Sequence, residues 1–291
     1  MIARLFDKLL LTLEDGNLAF QEEKLQLFVK LLHLHLLIQY SLKPGGLPYS
    51  LHLATSLLLL AAFLLCLKPA YSRVGIFLST ASLSIMIGYH FPFNHNHLYL
   101  EFLCLVLLAL LSIREPEPRQ LLLASLKYVM LVTLFYTGLQ KCFYGTYNEA
   151  EYLGYTIAQK SRFTDLFTFL LPSQEVARLT SLNPQLLGAG PFSVSYFPVV
   201  ALSNLVYILE MGLPFLLIPA RTRLGAALFS MLFISALQLG AREVFFAGLF
   251  VMLGSLYLES RRMVRSIYAF VALIYLAWPV VHFAWPDIFI N

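Results

Sequence analysis

Two short polar runs stand at the edges of apolar segments. Tyr136-Thr137-Gly138-Leu139-Gln140-Lys141 closes one apolar run and ends on a lysine; Asn94-His95-Asn96-His97 opens another. Desolvation disfavours a charged amine, and a neutral amine can act as a general base. A carboxamide and an imidazole such as Asn96 and His97 can orient a carbonyl or carboxylate and donate to developing charge. Plainer readings stand beside these. A lysine at a helix end snorkels to the interface, and an Asn-His pair hydrogen-bonds within its own loop. His97 and Glu101, four apart, share a helix face with His90 and His95 close by, which raises zinc or iron. No second ligand cluster of similar spacing exists in the chain, and no metal is assigned.

Two carboxylates lie inside apolar runs, Glu101 and Glu210. A buried carboxylate is rarely left unpaired. Lys30, Lys127 or a tyrosine are the available partners, so a structural pairing role stands beside a catalytic one. Glu210 is followed by Gly212 and Pro214, a pattern that favours a kink. His33 and His35 are two apart and face different directions on a helix, which reads as interfacial or packing.

The elements that must position these residues are membrane helices. The chain has 291 residues, of which 59% are hydrophobic and 12% charged. A soluble domain is about 45–50% apolar and about 25% charged. Spans must be helices or a closed barrel, because lipid cannot satisfy backbone polar groups. The apolar stretches show no two-residue alternation, so the reading is an all-α polytopic bundle. Nine stretches qualify: 25–41, 50–67, 74–89, 98–113, 121–140, 198–218, 224–240, 244–258 and 266–281. Residues 1–24 carry Ile2, Leu5, Phe6, Leu9 and Leu13 at helical spacing among acidic residues, which predicts an amphipathic interfacial helix rather than a signal peptide. Residues 25–291 then form a single transmembrane domain. Within it, 141–197 is long, mixed and proline-rich, and is expected to cap the outer face. Cys66, Cys104 and Cys142 are isolated and require no disulfide. The net charge of +4 is scattered, with no nucleic-acid footprint.

Lys and Arg fall on alternate sides of nine spans unevenly. Lys68, Arg73, Arg114, Arg119, Arg221, Arg223, Arg261, Arg262 and Arg265 share the N-terminal side, against Lys43 and Arg242 in the opposite short loops. The positive-inside rule then places the N-terminus in the cytoplasm and the C-terminus outside. Both polar runs of the first paragraph face outward on this count. Nucleotide and hydrolase motifs are absent, and a transporter lacks the inverted repeats common to such folds.

Three runs together resemble the vitamin K-dependent gamma-carboxylase superfamily, whose membrane portion is the horizontally transferred transmembrane (HTTM) domain. Asn96-His97-Leu98-Tyr99-Leu100 resembles its Asn-His-x-Tyr-Leu helix start. Gly138-Leu139-Gln140-Lys141 resembles its Gly-x-x-Lys helix end. Glu210-Met211-Gly212-Leu213-Pro214, followed by Arg221 and Arg223, resembles its Glu-x-x-x-Pro helix and arginine turn. The order agrees over about residues 80–255. The resemblance implies an outward-facing membrane enzyme that uses a reduced quinone of the vitamin K type. Lys141 would be the base, with Asn96 and His97 catalytic beside it and Tyr99, Glu101, Tyr147 and Glu210 contacting substrate. The acidic stretch and tryptophan that follow the family's lysine are replaced here by Cys142-Phe143-Tyr144-Gly145-Thr146-Tyr147, and the family histidine after the arginine turn has no counterpart in 224–240. The short form is similar to bacterial HTTM proteins of the sporulation-delaying protein B kind, which implies maturation of a secreted peptide in the inner membrane, with a partner maturation protein. The alternative is a non-catalytic membrane partner that binds quinone or lipid.

Overall fold

Proline and charge set the helix boundaries. In the computed structural model, residues 17–42, 46–92, 96–145, 147–161, 163–185 and 190–284 are described. The interfacial helix expected over 1–24 falls largely outside them, as do Asn94 and His95. The described residues form twelve α-helices and one short 3-10 turn, with no strand. Pro48, Pro172 and Pro219 each stand immediately before a helix, and Pro116 and Pro198 lie in the first turn of two others, where a missing N–H costs nothing.

The chain divides into two compact units. The first comprises the described residues up to Met130 and from Phe245 onward. It holds α1 (Leu18–Leu42), α2 (Tyr49–Cys66), α3 (Ser72–His90), α4 (Asn96–Leu110), the first half of α5 (Pro116–Tyr144), nearly all of α11 (Val244–Ser255) and α12 (Arg261–Ala284). The second comprises 131–244. It holds the rest of α5, the short helices α6 (Glu151–Ala158), α7 (Thr164–Leu170) and α8 (Ser173–Ser181), then α9 (Phe197–Leu217) and α10 (Ala220–Gly240).

Six helices are long and apolar enough to cross a membrane: α1, α2, α5, α9, α10 and α12. Apolar α4 and α11 are shorter. Each of the nine stretches expected from sequence lies on a helix, although 50–67 and 198–218 overrun theirs by one residue and 98–113 and 244–258 by three. The side chains sort as a membrane helix requires. On α1, Leu25, Phe28, Leu32 and Leu36 form one fully buried stripe. On α2, Leu53, Leu57, Leu60 and Leu64 form an outward stripe, each more than 40% exposed. An outward leucine stripe of this length suits hydrocarbon, not water. Small residues allow close packing within the first unit: a Cβ on Gly75 of α3 would meet Cys66 Sγ of α2 at 2.5 Å.

The described residues between α5 and α9 pack on one another. Leu153, Ile157, Phe163, Phe167, Leu179 and Val194 share a core, and the Phe192 carbonyl presses on Gly154, where only hydrogen fits. Glu175 ties this segment together. It takes two hydrogen bonds from Arg178 at 2.8 and 2.9 Å and one from the Ser195 N–H at 3.1 Å, while Arg178 also donates to the Pro191 and Ser193 carbonyls. The Arg178 guanidinium holds the Glu175 carboxyl down to about 2. An unfolded glutamate titrates near ~4.3. A depressed folded value contributes stability above the unfolded value, and that stability is lost as pH falls toward about 2. Limited proteolysis of 147–195 should therefore accelerate between about pH 4.5 and pH 2 in the wild type. In Glu175→Gln it should be fast already at neutral pH. An unchanged cleavage profile in that variant rules the clamp out.

Candidate functional site

Lys141 lies in the last turn of α5, where a cation complements the helix dipole. One turn earlier, Gly138 lets α9 come close. A Cβ there would meet the Tyr207 carbonyl oxygen and Met211 Cγ at 2.8 Å. Glu210 lies between those two contact residues. The close approach brings its Oε1 to 2.5 Å from Lys141 Nζ. Glu210 is 3% exposed. Its second oxygen, Oε2, has no hydrogen-bond partner among the described residues. The Lys141 amine also lies 5.2 Å from the centre of the Tyr147 ring, a cation–π contact. Tyr147 stacks on Tyr152, with ring centres 5.3 Å apart. The chain after α5 is pinned to α9: Ser203 Oγ donates to the Tyr147 carbonyl at 2.8 Å and Asn204 Nδ2 to the Asn148 carbonyl at 2.9 Å.

Lys141, Tyr147, Tyr152 and Ser203 help to wall a cavity of about 110 Å³ inside the second unit. A single water needs about 10–15 Å³ by the same measure, so the cavity holds several waters or a small organic group. Lys141, Tyr147, Tyr152, Phe163, Gln238 and Glu243 give it its chemistry. Gln238 lines it beside a cation and a carboxylate, and its Oε1 is buried with no donor among the described residues. Phe163 and Arg242 hold left-handed backbone conformations with φ of 59° and 61°. Such geometry costs a non-glycine residue about 1–2 kcal/mol. The Phe163 N–H is fixed by the Gly240 carbonyl at 2.9 Å, which ties the start of α7 to the end of α10.

Glu101 sits elsewhere, wholly buried in the first unit. Its Oε1 is 2.9 Å from His35 Nε2, and its Oε2 accepts from Tyr40 at 2.5 Å. His35 Nδ1 in turn meets the Tyr275 hydroxyl at 2.7 Å. Phe245 stacks on Tyr275, and Gly248 leaves room for the Tyr275 hydroxyl. The four polar residues join α1, α4 and α12 through one satisfied network, the condition for burying a carboxylate.

Of the sequence candidates, the structure therefore brings together Lys141, Glu210 and Tyr147. Asn96, His97, Tyr99 and Glu101 belong to the first unit. Asn96 begins α4, His97 is half-buried with its ring 6.2 Å from Phe246, and Tyr99 is exposed. The partner found for Glu101 is His35 with a tyrosine; Lys127 instead lies over the Tyr257 ring. His35, read from sequence as packing, is thus part of a network. Tyr152, Ser203, Gln238 and Glu243 were not singled out. Gln238, a lone carboxamide in an apolar run, carried the one available signal. Among the described residues, no three His, Cys, Asp or Glu side chains are grouped as metal ligands. Comparison with family models, curated proteins and solved structures gives no match for this chain.

Proposed function

We propose that this is an integral protein of the cell membrane with nine crossings, N-terminus cytoplasmic and C-terminus outside, that acts on a secreted peptide at the outer face. The observation that carries the reading is the Lys141–Glu210 pair, whose lysine lines the aromatic cavity. An amine 2.5 Å from a carboxylate donates to it, so Lys141 accepts a proton only as Glu210 takes one up. The pair is a proton-exchanging unit, a refinement of the lone-base reading. The vacant Gln238 Oε1 and the Tyr147–Tyr152 stack fit the hydroxyl and ring of a reduced quinone, which when bound would supply reducing electrons. Lys141 would hold or release the proton beside it, Gln238 would orient the hydroxyl, and Phe163 and Phe167 would exclude water. Asn96 and His97 remain in the proposal as orienting residues on the strength of their motif alone.

Secreted peptides from cells with and without the protein, compared by mass analysis, test this reading. Loss of a peptide modification without the protein, and a loss of at least 100-fold in rate for Lys141→Ala with normal insertion, are expected. A full set of modified peptides in Lys141→Ala and His97→Ala would sink catalysis. The second reading, a non-catalytic ligand-binding partner, is favoured by the commitment of the Lys141 amine to Glu210. It predicts tolerance of Lys141→Arg together with loss of function on deletion of residues 173–195.

A further inference from the structure

We propose that the first unit binds the phosphate of an anionic phospholipid headgroup between the middle of α1 and the α2–α3 and α4–α5 turns. A second cavity, of about 30 Å³, lies there, lined by Lys30, Arg114, Gln26 and Ser72 with Cys66 and Pro69 among its walls. No carboxylate lines it. Lys30 sits in the middle of α1, is half-buried, and has no hydrogen-bond or ion-pair partner among the described residues. An unpaired ammonium on an apolar helix is costly unless an anion meets it.

The acid one turn before Gln26 on α1 is already committed. Glu22 accepts from Arg119 at 2.9 Å and from Gln26 at 2.9 Å. Arg114 is held by one bond, its Nη2 donating to the Pro69 carbonyl at 3.1 Å, which leaves the rest of its donor fork for an oxyanion. The walls also fix the depth of the site. The α2–α3 turn supplies Pro69 and Ser72, and the α4–α5 turn supplies Arg114. Lys30 therefore lies level with two interhelical turns, where headgroups lie, and the first turns of α1 reach beyond them. Lys68 and Arg73 in the same connection add positive charge. Assignment to the inner leaflet, whose lipids are the more anionic, rests on the orientation proposed above; the phosphate chemistry does not.

The probe is phosphatidylglycerol in nanodiscs otherwise made of phosphatidylcholine, read by retained lipid in native mass analysis and by thermal shift. Wild-type protein should retain phosphatidylglycerol. Lys30→Gln/Arg114→Gln should lose roughly 5-fold affinity per charge removed. Arg262→Gln, an exposed cation outside the cavity, should change nothing. Arg114→Gln alone, on an exposed residue, guards against misfolding of the double variant. Inorganic phosphate is the second arm: protection by millimolar phosphate equal to that by the lipid keeps the phosphate site but assigns it to a soluble ligand. Unchanged retention in the double variant, or an equal loss in Arg262→Gln, overturns the proposal. Peptide modification, read in the same variants, should persist, so this inference and the proposed function fail separately.

Discussion

Lys141→Ala lowers the stability of the second unit by about 3 kcal/mol, and adding Glu210→Ala returns most of that loss. The single change leaves a carboxylate that is 3% exposed without its cationic partner. The double change removes the charge and leaves only lost packing. Equilibrium unfolding in micelles, followed by circular dichroism, gives the four corners of the cycle. A coupling near zero, with the double variant as unstable as the sum of the singles, would mean that the pair contributes nothing to the fold. Lys141→Arg keeps the charge and should sit close to wild type in stability. Its planar fork, however, cannot exchange a proton, so activity and stability part company in that variant.

The second large effect is expected in the first unit. Glu101→Leu orphans His35 Nε2 and the Tyr40 hydroxyl together, and should cost about 3 kcal/mol. Glu101→Gln keeps the shape and one acceptor, and should cost about 1 kcal/mol. Tyr275→Phe removes one neutral hydrogen bond at the edge of the network, again about 1 kcal/mol. The ranking is the test. If Glu101→Leu is the mildest of the three, hydrophobic replacement outweighs the network and the buried carboxylate is kept for another reason.

Much of the architecture is legible in the chain because the cues are local. Apolar length located every long helix. The Gly-x-x-Lys run pointed to Lys141, and the carboxylate at Glu210 was visible as a charge that needed a partner. What was not legible is which partner. Lys30, Lys127 or a tyrosine are the partners read from the sequence, whereas the structure pairs Glu210 with Lys141, a choice that depends on Gly138, whose missing side chain admits α9. His35 and Glu101 are 66 residues apart, and their meeting is a consequence of packing α1 against α4. Gln238 becomes interesting only once Phe163 and Phe167 are seen to line the same cavity.

Helix α11 has twelve residues, a rise of about 18 Å against a hydrocarbon thickness of about 30 Å. It is jacketed by protein: Phe245, Leu249, Phe250, Met252 and Leu253 are buried, and so are Leu256, Tyr257 and Leu258 in the irregular stretch that follows. Non-helical backbone is tolerated at membrane depth where neighbouring chain surrounds it. This helix is thereby released from matching the acyl chains. Shorter or longer lipids should strain the leucine-faced rods such as α2 and leave α11 untouched, so a change of bilayer thickness would press on the periphery of the first unit while its centre keeps its shape.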